Sequence, residues 1–215
     1  MDRPLPNPRA AKGLDTLKNI KKTSSDKHRR IIEAAVKVFA KNGFYNSKVS
    51  EIAREANVAD GTIYLYFENK DDILISLFEE ELARVLEHIR EALDGETDPV
   101  KKLERFATVH LNLVQDNQDL AEIIQVEVRQ SSKFMKEYKN SKFLEYLDII
   151  SEIIREGQQQ GIFRKDIEPG IAKRAFFGAL DEMSRYWVLS EARRYSIAKA
   201  VQDISSIFLR GLMAA

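Results

Sequence analysis

Apolar residues recur along most of this chain at spacings of three and four, the pattern of helices that bury one face. Ile31, Ile32, Ala35, Val36, Phe39 and Ala40 trace the first such face. Ser24 or Ser25 can cap a helix starting near Asp26, and Asn42-Gly43 stops it, with Gly43 suited to the left-handed position after the last turn. Val49, Ile52, Ala53 and Ala56 give a short second helix over 48–56, with Ser47 as its expected N-cap. Asn57-Val58 predicts a tight turn, and DGTIYLYF a third short helix over 60–67.

Two short helices joined by a tight turn, after a longer supporting helix, describe a helix-turn-helix. Ala53 and Ala56 are small enough for the helices to cross closely, and Asn57 tolerates left-handed backbone. Longer amphipathic helices follow. One covers Lys70–Leu93, capped by Asn69 and opened by Asp71 and Asp72; the next begins at Asp98-Pro99. Others are predicted over 118–130, 133–160, 169–189 and 196–212. There is no convincing strand and no internal repeat, and the apolar positions do not hold a strict heptad. The expected fold is all-α, with about nine helices in two domains: a small head over 25–70 and a helical body over 71–215. Residues 1–24, with Pro4, Pro6 and Pro8 and scattered lysines, read as a flexible basic leader.

Composition removes whole classes of function. The 215 residues include no Cys and three His, which excludes a disulfide framework and a thiolate nucleophile and disfavours a metal centre. No Ser/His/Asp arrangement or phosphate-cradling Gly loop appears, so no catalytic residue is expected. No apolar run reaches the roughly 18 residues of a membrane helix, and nothing near the N-terminus resembles a secretory signal, so a soluble, cytoplasmic protein is expected. The net charge is zero, from 34 basic and 34 acidic side chains, but it is unevenly spread. Residues 1–70 hold 14 Lys+Arg against 8 Asp+Glu; the remainder holds 20 against 26. A basic head on an acidic body suggests that the head meets an anion, most commonly nucleic acid.

In a helix-turn-helix the second helix enters the major groove. Asp60, Gly61, Thr62, Tyr64, Leu65 and Tyr66 are the residues that would meet DNA. Gly61 keeps the helix start slim, Thr62 can reach a phosphate or a thymine methyl, and the tyrosine hydroxyls can reach phosphates. Lys48 and Lys70, at the starts of flanking helices, are candidates to neutralise phosphates, and Ser47 lies beside them. Lys27, His28, Arg29 and Arg30 crowd the expected first turn of the first helix, against its dipole unless a phosphate sits there. Ile63 and Phe67 should face the core. Asp60 can read a cytosine or cap its helix, and capping is the expected role.

The segment VSEIAREANVADGTIYLYFENKDDIL closely resembles the DNA-binding signature of TetR-type transcriptional repressors. The shared pattern is I-A-x-x-A-x-V, then G-T-x-Y-x-Y-F, then N-K and an apolar helix; it covers about residues 26–75. Asn57 departs from the usual turn glycine, and Lys48 stands where a small hydroxyl residue is common. The resemblance implies a repressor that binds a palindromic operator as a homodimer paired through its last two helices. Phe176, Met183, Trp187, Val201, Ile204 and Phe208 make those helices unusually apolar, and are the expected interface.

The body pieces IIQVEVRQS and RKDIEPGIAKRAFFGALDEMSRYWVL are similar to the fatty-acid-degradation (FadR-like) regulators of that family. This implies a long-chain acyl-CoA as releasing effector and no bound cofactor. An acyl chain needs a long apolar lining between helices. Phe106, Leu113, Ile123, Phe143, Leu147, Phe177 and Leu180 are candidates, with His110 as either a packed core histidine or a ligand contact. Gln125 and Arg129 share a helix face, and Arg105, Arg129, Lys133 and Arg185 are candidate partners for the CoA phosphates. The alternative effector is a flat, cationic efflux-type drug, which buried acids in an aromatic pocket would favour.

Overall fold

The computed structural model describes residues 8–128, 141–190 and 194–214, with side chains from Ser25 onward. Among these, nine α-helices and no strand occur. They are α1 (Pro8–Asn42), α2 (Val49–Glu55), α3 (Asp60–Ile63), α4 (Lys70–Leu93), α5 (Pro99–Asp116), α6 (Gln118–Glu122), α7 (Ser141–Gln159), α8 (Pro169–Leu189) and α9 (Ile197–Leu212). A π-helical turn, Ile123–Glu127, continues α6. No described helix is long and apolar enough to cross a membrane.

The chain packs as two units, Met1–Ile73 and Leu74–Ala215, and α4 runs through their boundary. In the first unit, α1 begins at Pro8 rather than near Asp26, so helical backbone replaces most of the expected leader. Pro8 suits a first helical position, and Ala10 and Ala11 are strong helix formers. The cluster from Lys27 to Arg30 is therefore mid-helix, and the dipole argument made for it does not apply. Its charges are used locally: Arg29 lies beside Asp26 and Glu33, and the Arg30 guanidinium donates to the carbonyls of Ala56 and Asn57. That contact ties α1 to the end of α2. Ile31, Ala35, Phe39, Ile52, Ala53, Ile63 and Phe67 are buried together with Phe44.

Asn57 carries the turn at φ 52°, and Gly43 ends α1 at φ 74°, as their residue types predicted. Ser47 does not cap α2. It is buried, and its hydroxyl donates to the Gly43 carbonyl at 2.7 Å, closing the end of α1. Lys48 takes the N-cap position instead, and Glu51 reaches back to the Lys48 N–H at 2.9 Å.

The second unit is a helical bundle. Asp98 and Asn117 cap α5 and α6 through the N–H groups of Val100 (2.9 Å) and Leu120 (3.1 Å). Glu168 and Ser196 do the same for α8 and α9. Leu86, Ile89, Leu103, Phe106, Leu111, Ile150, Ile154 and Leu180 lie in one apolar core. Gly157, in the last turns of α7, admits the Phe163 ring; a Cβ there would stand 2.1 Å from Phe163 Cδ2. A single antiparallel bridge then pairs Phe163 with Met213 and fastens the chain end.

Candidate functional site

The turn and α3 present a mixed polar and aromatic surface. Asp60 and Gly61 are exposed, Thr62 and Tyr66 half-buried, and Tyr64 and Leu65 are 59% and 80% exposed. The helix expected over 60–67 stops at Ile63, and the chain continues to Phe67 as hydrogen-bonded turns, with the Leu65 N–H on the Thr62 carbonyl (3.2 Å) and the Phe67 N–H on the Ile63 carbonyl (3.0 Å). This winding leaves Ile63 and Phe67 buried and Gly61, Tyr64 and Leu65 exposed. A Cβ on Gly61 would meet nothing within 4 Å, so this backbone is open to close approach. Asp60 is inside the helix and Ala59 holds the N-cap position without a side-chain bond, so the expected capping role is replaced by that of a first-turn anion. Lys48 is exposed at the start of α2.

Two residues expected at the DNA do other work. Ser47 is buried, as described above. Lys70 directs its ammonium at three carbonyls, of Phe44 (2.6 Å), Tyr45 (3.0 Å) and Ser47 (2.9 Å), and lies over the Phe44 ring at 4.6 Å. It holds the loop between α1 and α2 rather than offering a free charge to a phosphate. Arg54 and Lys48, both exposed, are after Lys70 the cations nearest in sequence to that surface.

The body forms a half-open cavity of about 410 Å³ between α4, α5, α6 with its π-turn, α7 and α8. Its wall is mainly apolar, with Phe78, Leu82, Val85, Leu113, Val114, Leu120, Ile124, Val128, Phe143 and Phe177. Phe143 stacks on Tyr146 (6.3 Å, 10°), and Phe177 stands edge-on to His110 (5.8 Å, 87°). The polar wall residues are Glu81, His110, Gln125, Tyr146, Asp181 and Ser184. His110 Nδ1 is hydrogen-bonded to the Tyr146 hydroxyl, and Gln125 donates to Asp181 Oδ1 at 3.1 Å. Burial holds His110 down at about 4, so the imidazole is neutral near pH 7, and burial raises the Tyr146 phenol well above its usual range. Glu81 is raised by burial too, although Arg84 pairs with it at 2.8 Å.

Of the residues expected to line a pocket, His110, Leu113, Gln125, Phe143 and Phe177 are in this wall. Phe106, Ile123, Leu147 and Leu180 are buried but not in this wall, and Phe106, Leu147 and Leu180 belong to the adjoining apolar core. Arg129 and Lys133 lie outside the described residues. Arg105 and Arg185, expected near the CoA phosphates, are engaged with Glu96 (2.5 Å) and Glu182 (2.7 Å). Tyr146, Asp181 and Ser184 were not expected in the wall. For the last two a signal was present, because Asp181 and Ser184 share a helix face with the apolar Phe177 and Leu180.

The expected pairing face also changes. Phe176 and Trp187 are 2% and 3% exposed within the protomer, Phe176 against Phe208 (5.1 Å) and Trp187 donating to the Tyr195 carbonyl (3.1 Å). Met183, Val201, Ile204 and Phe208 are half-buried. The apolar residues left outside on α8 and α9 are Ile171 (70%), Leu189 (58%) and Ile207 (69%).

A helix-turn-helix unit followed by a helical body is the organisation of a class of transcriptional regulators. Residues 31–77 match the bacterial regulatory proteins of the tetR family, and residues 78–211 match the C-terminal region of YsiA-like proteins. The chain belongs to the TetR family of transcriptional regulators. It is 36% identical over 191 residues to the fatty acid metabolism regulator protein of Bacillus subtilis, covering 89% of this chain and 98% of that one. The crystal structure of FadR from Bacillus subtilis in complex with stearoyl-CoA is similar at a TM-score of 0.79, covering 85% of this chain and 98% of the other. The fatty acid degradation regulator FadR from Bacillus halodurans is similar at 37% identity and a TM-score of 0.79, covering 86% and 95%. These relatives are regulators, not enzymes.

Proposed function

We propose that this chain is a repressor that binds a palindromic operator as a homodimer and leaves it when a long-chain acyl-CoA occupies the body. The observation that carries the reading is the apolar 410 Å³ cavity, found in a chain that aligns with 98% of a fatty acid metabolism regulator. The stearoyl-CoA complex of the Bacillus subtilis protein supports the ligand class. Gly61, Thr62, Tyr64, Leu65 and Tyr66 are the residues that meet DNA, with Lys48 at a phosphate. The exposed Ile171, Leu189 and Ile207 support pairing of two protomers through α8 and α9.

Because α4 is common to both units, a ligand that prefers one body arrangement shifts the population of head positions, by no more than its own preference. The efflux-drug alternative called for acids buried in an aromatic pocket. Glu81 and Asp181 do line it, but Arg84 and Gln125 partner them, which leaves a cation little to gain.

The test is a mobility-shift assay on the chain's own upstream DNA, titrated with palmitoyl-CoA, free CoA and a cationic dye. Release by micromolar palmitoyl-CoA alone is the expected result. Release by the dye instead, or no sequence-selective binding at all, rejects the reading.

A further inference from the structure

Besides Glu81, whose carboxylate is ion-paired with Arg84, the cavity wall contains three buried, uncharged polar groups with no hydrogen-bond partner among the described residues. His110, Gln125 and Ser184 are 7%, 8% and 2% exposed, and His110 Nε2, Gln125 Oε1 and Ser184 Oγ make no hydrogen bond. Each arises from a specific arrangement. The Tyr146 hydroxyl is best satisfied by donating to His110 Nδ1, which places the imidazole proton on Nε2. Gln125 spends its amide N–H on Asp181, leaving its carbonyl oxygen. The π-turn widens the helix at Ile123–Glu127, the kind of distortion that gathers at functional sites. Ser184 follows Asp181 by one turn of α8, so the unpartnered groups cluster around a single carboxylate.

A purely hydrocarbon occupant would leave all three unpartnered, and a buried donor or acceptor without a partner is costly. From this we infer that the cavity contains a polar subsite which hydrogen-bonds an uncharged oxygen on an otherwise apolar ligand, with His110 Nε2–H and the Ser184 hydroxyl donating to it. Gln125 Oε1 accepts in turn where that oxygen carries a proton. A thioester carbonyl and a hydroxyl on the chain share this chemistry. The inference rests on the acyl effector reading above, and deepens it by naming what is recognised besides chain length. Its neutral imidazole has no charge to offer, which suits an uncharged oxygen better than a carboxylate.

Calorimetry on the full chain tests it with ligands that differ by one oxygen. Palmitoyl-CoA is compared with its S-hexadecyl thioether, which lacks the carbonyl, and with 3-hydroxypalmitoyl-CoA; 1-decanol is compared with decane. A ligand with the oxygen should bind about tenfold more tightly than its partner without it, the scale of one well-made buried hydrogen bond. Loss on the thioether identifies the carbonyl as the recognised oxygen; gain only on the hydroxyacyl ester identifies the chain hydroxyl. Ser184→Ala, and His110→Leu combined with Tyr146→Phe, should each shrink the oxygen preference while the ligand-free melting temperature holds or rises. The double change removes both ends of one bond together, so neither is orphaned. Equal binding with and without oxygen in every pair overturns the subsite. If no CoA ester binds, the acyl-CoA reading fails by itself and the decanol pair decides: decanol no tighter than decane, or no binding by either, overturns the subsite too.

Discussion

Lys70→Met separates two roles for one lysine. As a phosphate contact, Lys70 would matter only when DNA is bound. In the structure its ammonium meets three carbonyls at 2.6–3.0 Å, two of them in part-buried bonds, and lies over the Phe44 ring. Water can replace the exposed Tyr45 bond at little cost. The two part-buried bonds to a charged donor contribute about 1.5–3 kcal/mol each before allowance for solvent, and the ring contact contributes about 0.5–1 kcal/mol. With solvent allowed for, the loss is about 3 kcal/mol, or roughly a hundredfold in the local opening equilibrium. Methionine keeps the apolar stem, so the deficit falls on the ammonium alone. Hydrogen exchange on the full chain reads it directly: amides of α2 and α3 should exchange roughly a hundredfold faster. Operator affinity should fall, with its salt dependence nearly unchanged. Unchanged exchange, together with a salt slope reduced by about one, would refute this account and restore the phosphate role.

Three further outcomes follow from other parts of the molecule. His110 titrates at about 4 when folded and about 6.5 when unfolded, so between those values the unfolded chain binds the extra proton. Stability should therefore fall as pH drops from about 6.5 to 4, by about 3 kcal/mol from this group, and His110→Leu with Tyr146→Phe should flatten that part of the urea-midpoint profile. Gly157→Ala should destabilise the fold by about 1–3 kcal/mol, read as a lower urea midpoint at constant slope, because its methyl would collide with the buried Phe163 ring. Ile207→Glu should yield monomers in sedimentation and weaken operator binding at least tenfold, leaving helix content unchanged; an intact dimer would move the pairing face elsewhere.

Much of the local structure was legible because it depends on neighbours in sequence. The start of α5 at Asp98-Pro99, the stop at Gly43 and the left-handed turn at Asn57 each follow from one residue's own stereochemistry. The start of α1 lies upstream of Ser24-Ser25 because a serine pair that can cap a helix can equally continue one. Ser47 and Asp60 misled in a related way. Both are capping types, but which donor or acceptor they meet depends on a neighbouring chain segment or a one-residue shift of the helix start.

The tertiary structure decided how the long side chains are used. Periodicity marks a buried face on α5 and α8 but does not divide it between packed core and cavity wall: Phe106 and Leu180 went to the first, Leu113 and Phe177 to the second. A helix 10–12 Å across meets several neighbours around its circumference, and sequence records only that a position is apolar. Lysine and arginine heads were harder still, because a flexible stem of several bonds lets Lys70 reach carbonyls more than twenty positions away. Sequence by itself determined the all-helical class, most helix positions, the turn and the family. Packing alone determined which polar groups of the body face a cavity without partners, because satisfaction of a buried hydrogen bond is a property of the surroundings and not of the residue.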